Sequence, residues 1–69
     1  MPLSMVEQGV EGTIKKVGGK GDTKRFLDNL GFVTGGMVTV VADMGGNLIV
    51  NIKDSRVAIG KDMANKIMV

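Results

Sequence analysis

The stretch RFLDNLGFVTGGMVTVV, Arg25 to Val41, decides the fold. Its first part is a short helix, over about residues 23–30. Phe26, Leu27 and Leu30 recur at i, i+1 and i+4 and make one apolar stripe. Lys24, Arg25, Asp28 and Asn29 take the wet side, and Asp22 or Thr23 is placed to cap the free N–H groups. Gly31 stands where the chain must turn left-handed, a conformation that glycine adopts without a Cβ penalty. Phe32 is then expected to fold back on Leu27 and seal the last turn. Gly35 and Gly36 lead into a strand, Met37 to Ala42, that is apolar on both faces. Such a strand is covered on both sides or helps to close a small barrel.

Outward from this corner the pattern is all short strands. A first strand is expected from Val10 to Val17, with an internal phase conflict. Val10, Gly12 and Ile14 share one face and Val17 falls on the other, which a bulge or a bend at glycine reconciles. GGKGD, Gly18 to Asp22, is a loop, and DMGGN, Asp43 to Asn47, is a hairpin with glycines for positive φ. In the strand Leu48 to Lys53, Leu48, Val50 and Ile52 alternate inward. Asp54 and Ser55 turn into a strand from Arg56 to Ile59, Gly60 ends it, residues 61–65 allow one helical turn, and Lys66 to Val69 close the chain. The reading is a mainly β fold: one domain over residues 1–69, a small SH3-like antiparallel barrel of about five strands. An OB-fold is the runner-up.

Composition bounds the function. A chain of 69 residues buries only roughly 60% of its unfolded surface, which leaves little room for an internal active site. Hydrophobic residues make up 43%, yet Phe26 and Phe32 are the only aromatics, so the core is aliphatic. Met37 and Met68 are assigned to that core, and Met44, in a glycine loop, to the surface. The chain has no cysteine and no histidine. Activated nucleophiles and transition-metal sites of the usual kinds therefore have nothing to be built from. An all-oxygen site for a hard cation could use the loop aspartates Asp43, Asp54 and Asp62, although loop aspartates are more often turn formers. GGKGD lacks the spacing of a phosphate-binding P-loop.

The net charge of +2 is slight, and the nine bases are interleaved with seven acids along the chain. With few aromatics to stack on, nucleic acid is not an expected partner. A proline-peptide groove would need clustered tyrosine and tryptophan, which are absent. No segment reads as a signal peptide, and no apolar run reaches the ~18 residues of a membrane span. The expectation is a cytoplasmic protein without direct membrane insertion, presenting loops and one helix to a protein partner.

The pattern resembles the FeoA family, small SH3-like proteins of bacterial ferrous iron transport. LDNLGFVTGG is similar to the family's L-x-x-L-G-x-x-x-G, with Leu27, Leu30, Gly31 and Gly35 at the four marked positions. Leu3 and Gly9 match the opening, and Val38 and Val40 match the strand after the motif. RVAIGKDMANKIMV matches the ending through Ala58, Ile59, Ala64, Ile67 and Val69. Thr34 departs from the pattern, since the family often has proline there. The resemblance implies a non-enzymatic accessory that acts with FeoB, the membrane GTPase and iron permease, at its cytoplasmic face. It brings no catalytic or cofactor-binding residues, and the motif residues themselves read as structural.

The partner surface is a separate expectation: Arg25, Phe32, Val33 and Met44 at the helix-to-strand corner, with Phe32 and Val33 alternatively only capping the helix. Two other functions stay open: an Fe²⁺ carrier or sensor using loop aspartates, and a stand-alone SH3-like domain related to metal-dependent repressors. An uncovered edge strand can pair with its copy, so weak homo-oligomerisation is open as well.

Overall fold

Strand pairing in the computed structural model, which describes residues 1–52 and 55–69, is antiparallel throughout. A 3₁₀ turn at Leu3–Met5 precedes β1 (Glu11–Thr13) and β2 (Lys16–Val17). Then come α1 (Asp22–Leu30), β3 (Met37–Met44), β4 (Asn47–Ile52), β5 (Ser55–Gly60), α2 (Lys61–Ala64) and β6 (Ile67–Met68). One sheet has the order β1-β3-β4-β5, and a second pairs β2 with β6. The result is the expected mainly β, SH3-like barrel with one short helix and one helical turn.

The strand expected over Val10 to Val17 divides between the two sheets. Ile14, 1% exposed, sits at the corner: its N–H donates to the Gly36 carbonyl at 2.8 Å and its carbonyl accepts from Gly35 N at 2.8 Å. One residue on, Lys15 N donates to Met68 O at 2.7 Å. This change of partner answers the phase conflict between Ile14 and Val17, since a chain that leaves one sheet for the other need not keep one face. The termini close the same edge. Met1 N donates to Val69 O and Val69 N to Met1 O, both at 2.8 Å, and Pro2 bridges Met68.

β3 and β4 form the backbone of the large sheet. Val38 pairs with Ile52 and Val40 with Val50, all four buried, so inward residues face inward residues across the strands. The register slips between Val40 and Ala42. A bulge there lets a strand apolar on both faces turn Val41 and Ala42 into half-buried positions without breaking the hairpin. Gly45 takes φ 68° at the first position of the two-residue turn.

The core contains Leu3, Ile14, Val17, Leu27, Phe32, Val38, Val40, Leu48, Val50, Ile52, Ile59, Ala64 and Ile67. No polar side chain is buried among the described residues. Four expectations are corrected, and the first is Met68, which is half-buried and outside the core cluster. Phe26 is 49% exposed, because it lies about 100° around α1 from the buried Leu27, while Leu30 is only about 60° away and half-buried. Met37 is 45% exposed: it faces Thr13 on the outer side of the sheet, where Thr13 Oγ1 donates to its Sδ at 3.2 Å. The residue before α1 is Gly21, with no side-chain cap, and Asp22 lies inside the first turn, where its charge faces the positive end of the helix dipole.

Candidate functional site

The corner between α1 and β3 is built by a helix stop. Gly31, at φ 108°, donates to Asp28 O at 3.0 Å, and Phe32 N donates to Leu27 O at 3.0 Å. This pair of bonds is the Schellman arrangement, which drives the residue after the glycine back toward the helix. Phe32 is accordingly 0% exposed and is the largest fully buried side chain. It seals the last turn, as the sequence suggested, and is therefore removed from the expected contact surface: the bond that ends α1 also points this ring inward.

Val33, one residue on, is 40% exposed. With Thr34 it forms one wall of a cleft of about 360 Å³, whose other walls are Lys15, Lys16 and Val17 on one side and Lys24 and Asp28 of α1 on the other. Val17, 8% exposed, gives this cleft an apolar floor. Lys15 and Lys16 are exposed and make no ion pair among the described residues. Lys24 Nζ lies 3.1 Å from Asp28 Oδ2, on a half-exposed helix face. Such a pair contributes little to stability, and an acid toward the helix C-terminus opposes the dipole. Arg25 projects into solvent, 3.6 Å from Asp22 Oδ1.

Met44, the fourth expected contact residue, is 65% exposed but does not belong to this corner. It ends β3 at the hairpin, whereas Met37 begins β3 beside the α1 corner. Seven strand steps of ~3.3 Å put about 23 Å between those ends, nearly the span of a molecule of 29 × 24 × 22 Å. Sequence proximity is misleading here because a strand is an extended spacer.

Asp43, beside Met44, is held 3.1 Å from Lys61 Nζ, which ties the hairpin to α2. Asp62 Oδ1 lies against Gly60. Asp54 falls outside the described residues, and among the described residues no three acidic, histidine or cysteine side chains form a metal-holding group. Among the described residues, no helix is long and apolar enough to cross a membrane.

Sequence reading missed the lysine cleft. Its signal was present: Lys15, Lys16, Lys20, Lys24 and Arg25 occur within one short stretch containing a single acid, Asp22. The fold adds Lys66, whose carbonyl accepts from Gly18 N at 2.6 Å at the start of the same loop.

A small barrel with a helix inserted before its longest strand defines an SH3-like domain. The FeoA domain model matches residues 1–69, and the chain belongs to the FeoA family. A protein of Methanocaldococcus jannaschii that carries the name Fe(2+) transport protein A is 32% identical over 68 residues, covering 99% of this chain and 83% of the relative. The crystal structure of a FeoA described as an iron uptake regulatory protein superposes with a TM-score of 0.90 at 25% identity, covering 97% of this chain and 91% of that one. FeoA of Stenotrophomonas maltophilia, solved with zinc and described as a prokaryotic SH3 domain protein, gives 0.87 at 27%, covering 99% and 87%. A manganese-dependent transcriptional repressor shares the fold over 39% of its length at 21% identity and TM-score 0.89.

Proposed function

We propose that the protein is a cytoplasmic accessory of ferrous iron uptake that acts by binding a FeoB-type membrane GTPase and permease, without catalysis of its own. The observation that carries this reading is the FeoA match over residues 1–69, on a chain at least 30% identical to a protein named for Fe(2+) transport. The exposed surface supports it: Val33 follows the helix stop and Arg25 projects from α1, both open to another protein. Met44 is a second, separate apolar contact at the hairpin.

Uptake of labelled Fe²⁺ by cells lacking this chain tests the role. Uptake is expected to fall and to recover when the wild-type chain is returned. Unchanged uptake under Fe²⁺ limitation, with the transporter present at normal level, contradicts it.

A further inference from the structure

The bases are concentrated in part of the chain in a way that the small net value conceals. Lys15, Lys16, Lys20, Lys24, Arg25 and Lys66, six of the nine bases, belong to β2, α1, the loop between them and the approach to β6. Among the described acids, Asp22 and Asp28 are carried by those elements, and Glu11 lies near the same end of β3, opposite Thr39. Asp43 lies instead at the β3–β4 hairpin, paired with Lys61 at 3.1 Å, and Asp62 sits on α2, four residues before Lys66. The basic end is also concave: Lys15 and Lys16 stand over the apolar floor of Val17, with Val33 at the rim.

We infer that this cleft is the docking seat for a protein segment carrying carboxylates beside an apolar side chain. The inference rests on the reading above and names the surface that meets the partner. Two paired lysines offer point charges to carboxylates, while Val17 and Val33 offer an apolar contact that a purely electrostatic partner would not use. The shape favours a peptide over a lipid surface. A flat anionic bilayer would meet protruding bases, whereas here Asp28 is part of the cleft wall and holds Lys24 at 3.1 Å. Asp28 would repel headgroup phosphates packed against it. A segment can instead place its carboxylates on Lys15 and Lys16 and pass Asp28 with an uncharged residue.

The test is an amide NMR titration of the whole labelled chain with a capped synthetic peptide alternating Asp-Glu pairs with leucine. A Lys-Leu peptide of the same pattern and phosphatidylserine vesicles are run in parallel. Saturable shifts at Lys15, Lys16, Val17, Lys24, Val33 and Thr34 are expected with the acidic peptide alone. Affinity should fall as salt shortens the screening length from ~10 Å at 0.1 M to ~3 Å at 1 M. Lys15→Glu with Lys16→Glu, both exposed and so compatible with folding, should weaken the peptide at least about tenfold. Shifts centred on the Asp43–Asn47 hairpin, equal binding of the basic peptide, a preference for vesicles, or concentration-dependent shifts of the chain alone that displace the peptide each overturn the inference. The same double variant is then tried on the FeoB-type transporter. If the variant binds as well as the wild type, the cleft assignment fails and the docking role stands. If the wild type binds the acidic peptide at the cleft but never the transporter, the docking role fails and the cleft assignment stands.

Discussion

Gly31 shows how much a single residue fixes. Its φ of 108° is open to glycine, and a Cβ placed there would meet Ile52 Cγ2 at 3.0 Å. Gly31→Ala therefore combines backbone strain with a close contact in the core, and should cost about 1–3 kcal/mol. Gly45→Ala provides the comparison, since φ there is also positive but nothing lies within 4 Å; it should cost about 1–2 kcal/mol. Thermal unfolding should rank Gly31→Ala below Gly45→Ala, and the reverse order would contradict the close approach to Ile52. Phe32→Ala should cost about 3–5 kcal/mol, enough to leave a domain of this size largely unfolded by far-UV circular dichroism. At this scale the sequence was most legible where chemistry is local, as at Gly31 and in the fold-back of Phe32. It was least legible for Phe26 and Met37: hydrophobicity says that a residue can be buried, but in so small a barrel there is not enough interior for all of them.

Among the elements, the loop from Phe32 to Gly36 joins the helix stop to β3 and supplies Val33 and Thr34 to the lysine cleft. Val33 N donates to Gly31 O, and the Gly35 and Gly36 amides are bonded as well, whereas Thr34 N makes no backbone bond among the described residues. Thr34→Pro, the residue that the family often has, loses no such bond and restricts the unfolded chain. It should raise stability by about 0.4–1 kcal/mol in urea titration. A loss of stability would show that the loop's φ at this position is incompatible with proline. The succession of short strands and the inward alternation of Leu48, Val50 and Ile52 were readable from periodicity. The division of residues 10–17 between two sheets was not, because which sheet a short segment joins is decided by distant partners, Gly36 on one side and Met68 on the other.

For the whole molecule, the lysine cleft is the property that the sequence reading passed over. Five bases of one stretch, Lys15 to Arg25, are carried by β2, α1 and the loop between them, the fold adds Lys66, and β3 holds Met44 at its far end. The expected contact set of Arg25, Phe32, Val33 and Met44 was thus half spatial and half sequential. Val33 lies at the corner, Arg25 extends from α1, Phe32 belongs to the core, and Met44 is at the other end of the strand. The barrel brings no buried polar group into play among the described residues, so partner binding in this account is a matter of surface shape, apolar contact and charge.

The measurement that bears most directly on the account is an amide NMR titration of the labelled chain with the FeoB-type transporter of its own organism, first the cytosolic GTPase domain and then the full-length protein in detergent. The account predicts saturable shifts or line broadening on the α1 corner, concentrated at Lys15 to Val17, Lys24 and Val33. Spectra unchanged by both forms, with the transporter verified as folded and nucleotide-binding, would contradict it.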